Sequence, residues 1–162
     1  MGMAKQNMIK LLYEMMRNSK RSDREIAKII GVSQPTITRM RQRLEKTGYI
    51  RDYTVIPNLE KLGYDIAAFT FLSTGNSNAK SEDMNKWIES NSEIVFSASG
   101  DGINGKNSVM VSIHKDFTDY SKFMSELRSK WSENIRNIDG FLVPLKGDIP
   151  KHFSFKHLQH TL

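Results

Sequence analysis

Apolar and polar positions alternate with a helical period through the first third of the chain. The pattern predicts a helix over residues 4–18, with four apolar side chains on one face: Met8, Leu11, Leu12 and Met15. Residues 22–48 predict two further short helices joined by a sharp turn. The apolar stripes of these two helices are Ile26, Ala27 and Ile30 in the first, and Ile37, Met40 and Leu44 in the second. We therefore expect a small core enclosed by three helices.

The signals for helix starts and stops agree with this pattern. Ser22 can cap the second helix, and Glu25 can complete a capping box with it. Gly31 stands where the chain must leave that helix, in a left-handed conformation that glycine adopts freely. Ser33 is placed to cap the third helix, whose first turn tolerates Pro35 because no amide donor is needed there.

The outward face of the third helix is short of acid and rich in Arg, Thr and Gln. Two short helices with such a second member are typical of a helix-turn-helix that enters the major groove of DNA. With Ile37 placed inward, the candidate DNA-binding residues are Gln34, Pro35, Thr36, Thr38, Arg39, Gln42, Arg43 and Lys46. An ordinary helical hairpin is the alternative interpretation.

These side chains favour different contacts. Arg39 can bind guanine through two hydrogen bonds, and Gln34 or Gln42 can do the same for adenine. Thr38 suits a thymine methyl group or a phosphate. Phosphate contacts are expected from three cationic residues: Arg41, Arg43 and Lys46. For each side chain, an exposed residue without a DNA contact is the alternative.

Charge is distributed unevenly along the chain. Residues 1–56 hold 12 Lys or Arg and 5 Asp or Glu, whereas residues 57–162 hold 12 Lys or Arg and 13 Asp or Glu. The net charge of +7 in the first part coincides with the predicted helix-turn-helix. This asymmetry is expected when one domain meets phosphate and the other does not, although a basic surface facing solvent would show it too.

The second half of the chain alternates between strand and helix patterns. Strands are predicted at residues 66–72, 94–99, 108–114 and 138–145, and helices at residues 81–91 and 117–133. The order strand-helix-strand-strand-helix-strand is that of a ferredoxin-like split unit, whose two helices cover one face of an antiparallel sheet. The other face has enough apolar residues to need a partner, which favours dimerisation. Between the halves, residues 49–56 predict a short wing or linker strand.

The segment GDGING at residues 100–105 has two interpretations. It can be a hairpin turn, in which Asp-Gly and Asn-Gly stand where a positive φ is needed. It can also line an effector site, where exposed amides and a carboxylate would hold a small ligand between subunits. The candidate effector-binding residues are Gly100, Asp101 and Gly102.

Several function classes are not expected. The chain has no cysteine, which excludes disulfides, thiolate zinc sites and cysteine nucleophiles. No apolar run approaches the ~18 residues of a membrane span, so a cytoplasmic protein without a membrane partner fits best. We find no nucleophile elbow, phosphate loop or metal-ligand motif, and expect neither enzymatic activity nor a cofactor. Asp116 and Asp119 suit a helix N-terminus, and His157 and His160 in the tail lack further ligands for a metal.

Short motifs resemble the Lrp/AsnC family of transcriptional regulators, also called feast/famine regulatory proteins. They are EIA at residues 25–27, GVS at 31–33, RLEKTGYI at 43–50, LEKLG at 59–63, and Gly100-Asp101. The resemblance implies an α+β chain with an N-terminal winged helix-turn-helix domain and a C-terminal ferredoxin-like βαββαβ domain of the RAM type. Applied to this sequence, residues 1–56 bind DNA, 57–65 form a hinge, 66–150 serve effector binding and dimerisation, and 151–162 extend beyond the match.

The resemblance also implies a function. It implies a sequence-specific regulator that binds double-stranded DNA as a homodimer or higher homo-oligomer and responds to a small-molecule effector such as an amino acid. Dimer symmetry predicts a pseudo-palindromic operator. The sequence departs from the family where Arg41 replaces a usual Val or Ile, and where GDGING replaces a Gly-Asp-aromatic-Asp pattern. An architectural DNA-binding protein with little sequence specificity, or a metabolite-binding module without a role on DNA, are the alternatives.

Overall fold

The computed structural model of the chain describes residues 3–75 and 78–158. It divides into two units: the residues through Ile56 together with those from Lys151 onward, and the residues Pro57–Pro150. The first unit is helical, and the second combines helices with a single antiparallel sheet. None of the described helices is long and apolar enough to cross a membrane.

The first unit is built from three helices, α1 (Met3–Arg17), α2 (Asp23–Ile30) and α3 (Gln34–Lys46). Their positions confirm the helices predicted from periodicity. The buried core consists of the apolar side chains Leu11, Met15, Ile26, Ala27, Ile37 and Leu44. Met40 and Ile30 are only partly buried and pack against the edge of this core. The core fixes which face of α3 points outward.

The start of α2 and the turn from α2 to α3 have most of the predicted stereochemistry. The Ser22 amide donates to Glu25 Oε2 at 2.7 Å and the Glu25 amide donates to Ser22 Oγ at 3.3 Å, which completes the capping box. Gly31 ends α2 with a φ of 81°, in the left-handed region. Ser33 occupies the cap position of α3, but its hydroxyl lies 2.8 Å from Thr36 Oγ1 and caps no amide. The predicted side-chain cap at Ser33 is therefore absent, because the Thr36 hydroxyl engages that oxygen instead.

The segment after α3 differs from the expected strand. No strand is assigned to residues 49–56 in this part of the described chain. The amides of Tyr49 and Ile50 both donate to the Leu44 carbonyl, at 2.9 and 3.2 Å, and so close the end of α3. A strand also needs a neighbouring strand for its hydrogen bonds, and these residues have none among the described ones. Val55 is consequently 79% exposed.

The segment from Lys151 belongs to the first unit. It includes a single-turn 3-10 helix, Phe155–His157, that contacts α1. The rings of Phe153 and Phe155 lie 5.4 Å apart edge to face, and both side chains are exposed. His160, the second histidine of the pair noted in the sequence, lies outside the described residues.

The second unit has the predicted order of strands and helices. Its elements are β1 (Ile66–Thr74), α4 (Asn78–Ser90), β2 (Ile94–Ser99), β3 (Ser108–His114), α5 (Phe117–Trp131) and β4 (Ile135–Pro144). The sheet order is β2-β3-β1-β4, and each neighbouring pair is antiparallel. This confirms the α+β class and the ferredoxin-like unit. The strand β4 begins three residues earlier than predicted, because Ile135 pairs with Thr74 beyond a register shift in β1.

One face of the sheet is covered by helices, and the other face is not. Residues of α4 and α5 pack on one face with a core of Leu72, Met84, Trp87, Met110, Phe123, Met124, Leu127 and Trp131. On the opposite face, Phe69 pairs with Val111 of β3 and with Phe141 of β4. Phe96 and Phe141 are exposed large apolar residues, so this face has the uncovered apolar surface that the sequence predicted.

We predict that the core of the second unit depends strongly on Leu127, which is fully buried. Leu127→Ala should lower the free energy of unfolding by about 2–5 kcal/mol, because it leaves a cavity in a packed core. Leu62→Ala is the matched control, since Leu62 is exposed in the same unit, and it should change that free energy by less than about 0.5 kcal/mol. Both tryptophans of the chain lie in this core, so denaturation followed by tryptophan fluorescence reports on it. Equal losses in the two variants would contradict the assignment.

Candidate nucleic-acid interface

The candidate DNA-binding residues lie along the outward side of α3. The exposed members of the set are Gln34, Pro35, Arg39, Gln42, Arg43 and Lys46. Thr36 and Thr38 are half-buried. Because Ile37 and Leu44 are buried on the opposite side of the helix, the core presents the polar face to solvent.

A hydrogen-bonded cluster at Asp23 joins the start of α2 to the middle of α3. Arg41 donates to Asp23 Oδ1 through Nε at 3.0 Å and through Nη2 at 2.5 Å. Thr38 Oγ1 donates to Asp23 Oδ2 at 2.8 Å. The side chains of Arg41 and Asp23 are only 20% and 19% exposed, so the ion pair is largely shielded from water.

This cluster changes the role of two residues singled out in the sequence. Arg41 was expected to hold a phosphate, but its guanidinium is bound to Asp23. The Thr38 hydroxyl is also occupied, which leaves its methyl group for any contact with a base. Asp23 is a further residue of this surface that is not among the candidates predicted from the sequence. The available signal was an acid in the first turn of α2 together with an arginine where an apolar residue is usual.

The electrostatics of Asp23 follow from the same contacts. Burial raises the pKa of Asp23, but hydrogen bonds from Thr38 and Arg41 and the positive charge of Arg41 outweigh it. The net result is a pKa below the ordinary value, so Asp23 is ionised at neutral pH. The positive charge of Arg41 is therefore paired with Asp23 and is largely shielded from solvent.

A second contact holds the segment after α3 against the helix. Tyr53 Oη donates to Glu45 Oε1 at 2.6 Å. Burial and the hydrogen bond to Glu45 raise the pKa of Tyr53, so its hydroxyl keeps the proton that it donates. No local signal in the sequence indicates this pair, because the residues around Tyr53 have a strand-like pattern.

Two further arginines of the first unit are engaged by a buried acid. Glu14 in α1 accepts from Arg17 Nη1 at 2.5 Å, and it also forms an ion pair with Arg21 through its other carboxylate oxygen. The positive charges of these two residues are therefore partly neutralised within the unit. Arg39, Arg43 and Lys46, in contrast, extend from α3 into solvent.

The candidate effector loop forms part of the connection between β2 and β3. The Gly100 amide donates to the Asn107 carbonyl at 3.0 Å, and the Gly102 amide donates to the Lys106 carbonyl at 2.7 Å. Positive φ values occur at Asn104 (57°) and at the next residue, Gly105 (71°). The loop thus has the hairpin geometry of the first interpretation, with Asn-Gly and not Asp-Gly supplying the positive φ. Asp101, the second residue of this loop, is exposed.

Comparison with known proteins agrees with this geometry. A family model described as winged helix-turn-helix DNA-binding matches residues 5–51, which include most of α1 and all of α2 and α3. PH0061, an uncharacterised HTH-type transcriptional regulator of Pyrococcus horikoshii, is 33% identical over 138 residues that cover 84% of this chain and 87% of the relative. The leucine-responsive regulatory protein of Rhizobium meliloti is 36% identical over 61 residues, covering 38% of this chain and 39% of that protein.

Solved structures extend the likeness to the whole fold. The crystal structure of PH0061 has a TM-score of 0.77 at 23% identity and covers 92% of this chain and 95% of its own. An AsnC family transcriptional regulator from Agrobacterium tumefaciens has a TM-score of 0.77 at 18% identity, with coverage of 95% and 94%. A transcriptional regulator from Neisseria meningitidis, solved as a complex with L-Met, has a TM-score of 0.76 at 18% identity, with coverage of 91% and 92%.

The helix-turn-helix and the ferredoxin-like unit define a DNA-binding transcriptional regulator with an N-terminal winged helix-turn-helix. Identity of 33% over most of both chains shows the family directly. The chain belongs to the Lrp/AsnC family of HTH-type transcriptional regulators. The resemblance found in its short sequence motifs is thereby confirmed.

We predict that the Asp23 cluster stabilises the first unit in a pH-dependent manner. Asp23→Asn should lower the free energy of unfolding by about 1–3 kcal/mol at neutral pH, because Arg41 loses its ionic partner in a shielded position. The pKa of Asp23 in the folded chain lies below the ordinary 3.8. Its contribution is therefore present above that value and is lost as the pH falls through the lowered pKa.

The measurement is amide hydrogen exchange in α2 and α3 for the wild type and the variant, recorded over a range of pH. The difference in stability should be constant between about pH 5 and pH 8 and should shrink below pH 4. Asp52→Asn, a change at an exposed aspartate of the same unit, should leave the protection of both helices unaltered. A difference that persisted undiminished in acid would show that the charge of Asp23 is not what stabilises the unit.

Proposed function

We propose that this regulator binds a specific, pseudo-palindromic site on double-stranded DNA as a homodimer or higher homo-oligomer. The observation that carries the proposal is the outward face of α3, where Arg39, Gln42 and Arg43 are exposed from the middle of the helix to its last turn. The proposed role is to bind DNA and not to catalyse a reaction, and the proposed location is the cytoplasm. Residues 1–56 would supply DNA binding, 57–65 the hinge, and 66–150 effector binding and dimerisation.

The distribution of polar side chains on α3 supports base recognition. Gln34 lies in the first turn, where unpaired backbone amides and the helix dipole favour a phosphate nearby. Arg39, one turn further along, has the planar donor geometry that matches the two acceptors of guanine. Arg43 and Lys46 follow toward the end of the helix, where cations suit the flanking phosphates. A surface that served phosphate alone would not need the glutamines.

The uncovered face of the sheet supports assembly. Phe69, Phe71, Phe96 and Phe141 all lie on the side of the sheet that α4 and α5 leave open. Burying such an apolar surface against a second copy is favourable, because it removes apolar side chains from water. A dimer with a two-fold axis would use the same face of each protomer. Two copies of α3 related by that symmetry would require two related half-sites in the DNA.

The same unit is the proposed site of effector control. The structural neighbour from Neisseria meningitidis is a complex with L-Met, so the fold can accommodate an amino acid in that protein. In this chain, Gly100, Asp101 and Gly102 supply a compact loop with an exposed carboxylate. We propose that an amino acid or a similar small molecule binds beside this loop. The amides of both glycines donate within the loop, so Asp101 would carry the polar contact.

A selection from genomic DNA tests the proposed function. Purified protein is mixed with fragmented DNA of its source organism at about 0.15 M salt, where binding through phosphates alone is already weakened. We expect the retained fragments to share a two-fold symmetric motif, with half-sites separated by about one helical turn or a multiple of it. Retention without a shared motif would instead support an architectural protein with little specificity.

We predict that Arg39 reads a base. With the selected site as probe, Arg39→Ala should weaken binding by about 1–3 kcal/mol and relax the preference at one base position in each half-site. The measurement is a set of binding isotherms on the selected site and on single-base variants of it. Unchanged affinity and preference would refute the proposed orientation of α3 on DNA.

Two further arginine variants serve as contrasts. Arg43→Ala should weaken specific and non-specific binding to a similar extent and reduce the salt dependence, because it removes a phosphate contact. Arg128→Ala removes an exposed arginine from α5 in the second unit and should leave DNA affinity unchanged. If Arg43→Ala impaired only specific binding, Arg43 would be a base-reading residue.

A further inference from the structure

Three potential metal ligands from three elements meet at one end of the second unit. Glu93 precedes β2, His114 ends β3, and Asp119 lies in the first turn of α5. One ligand atom from each residue lies within 4.8 Å of the others. Among the residues that the structure describes, it is the one group of three or more potential metal ligands whose ligand atoms come this close together. No sequence motif reveals it, because Glu93 is 21 positions before His114 and belongs to a different strand connection.

His114 is the fixed member of the cluster. Its side chain is 0% exposed, and its ring packs 5.4 Å from Tyr120 and 5.0 Å from Phe123. Nε2 lies 2.8 Å from Ser112 Oγ. These contacts define the ring plane and leave Nδ1 directed toward Asp119. Metal-binding histidines commonly have their other ring nitrogen held in this way.

The second ring nitrogen has no adequate partner. Within the described residues, Nδ1 makes no hydrogen bond, although it is buried. The nearest acid oxygen, Asp119 Oδ2, is 3.9 Å away, which is too long for a hydrogen bond. Buried polar atoms are almost always satisfied, so an orphan in this position needs an explanation. A cation between Nδ1 and the carboxylates would provide the missing partner.

The electrostatics of the cluster favour a cation. Because Nε2 of His114 is held by Ser112 Oγ, Nδ1 is the ring nitrogen that can offer a lone pair toward Asp119. Glu93 and Asp119 are two half-buried acids whose oxygen atoms lie within 4.8 Å of each other. Acidic groups that repel one another beside a neutral imidazole are stabilised when a positive ion binds between them.

We propose that Glu93, His114 and Asp119 bind a divalent transition-metal ion, with zinc as the best match. One imidazole nitrogen and two carboxylates are ligands that zinc accepts, and water would complete the shell. Calcium and magnesium prefer sites made of oxygen alone. Ligand atoms on a tetrahedral zinc ion are about 3.4 Å apart for bonds of about 2.1 Å. The half-buried Glu93 and Asp119 would therefore close on the ion by about an ångström, while His114 stays in place.

The consequence would be a cross-link inside the second unit. The ion would join the start of β2, the end of β3 and the start of α5. These places are otherwise connected by backbone hydrogen bonds, by packing and by the bond from the Lys115 amide to Asp119 Oδ2 at 3.0 Å. This site lies apart from α3 and from the loop at residues 100–105 in the sequence. The inference therefore stands or fails independently of the proposed DNA and effector binding.

Metal titration of the full-length protein tests the proposal. Protein freed of metal with a chelator is titrated with Zn²⁺ in competition with a chromophoric chelator, and separately with Co²⁺ while the visible spectrum is recorded. We expect one ion per chain and cobalt bands typical of nitrogen and oxygen ligands. Glu93→Gln and Asp119→Asn should each weaken binding at least tenfold, which is the lower end of the losses seen even for supporting residues.

Matched controls separate this site from other ligands. Asp116→Asn changes a neighbouring carboxylate that caps α5, and asparagine can cap in its place, so zinc affinity should be unchanged. His157→Gln changes a histidine of the tail and should also have no effect. Loss of binding in the His157 variant, or wild-type affinity in the Glu93 and Asp119 variants, would overturn the proposal.

A direct observation of His114 avoids a variant in the core. Nitrogen NMR of the imidazole should show the Nδ1 resonance of His114 shift on addition of one equivalent of Zn²⁺, with Nε2 keeping its proton. Absence of stoichiometric binding, or binding that leaves this resonance unmoved, would show that the cluster is no metal site.

Discussion

The helix α3 must bury one side and expose the other, and the packing of the first unit depends on this requirement. One side has to bury Ile37 and Leu44 completely, while the other side has to remain polar and solvated. The three-helix core determines the rotation of α3, and the bonds from Asp23 to Thr38 and Arg41 add a polar constraint on the same helix. The direction in which Arg39 points is therefore a property of the entire unit and not of its own surroundings.

The second unit meets a comparable demand with a sheet. Its covered face is filled by Leu72, Met110 and residues from both helices, and its other face keeps aromatic side chains in contact with water. Alternation along β1 and β3 separates these two populations, and a register shift between Ile94 and Phe96 places Phe96 of β2 on the open face. A shift of one residue in register would exchange the two faces, so the pairing of Phe69 with Val111 and Phe141 is as important as the identity of the residues.

Local signals in the sequence accounted for most of the elements. The periods of α1, α2 and α3, the capping box at Ser22 and the left-handed Gly31 depend on neighbours within a few residues, and these could be predicted. Features set by distant residues could not. The partner of Arg41 lies 18 positions away, and the extended pairing of β1 with β4 depends on a register shift. Residues 49–56 had strand-like composition, but composition alone supplies no neighbour for hydrogen bonds.

The pairing of several basic residues with acids affects the salt dependence of binding to a polyanion such as DNA. Residues through Ile56 have a formal charge of +7, yet Arg17, Arg21 and Arg41 already contact carboxylates inside the unit. Each phosphate that a protein neutralises releases close to one condensed counterion, and a cation held by an internal acid releases none. The number of counterions released per protomer therefore depends on how many arginines remain exposed to solvent. The internal acids of α1 and α2 thus limit how strongly DNA binding responds to ionic strength.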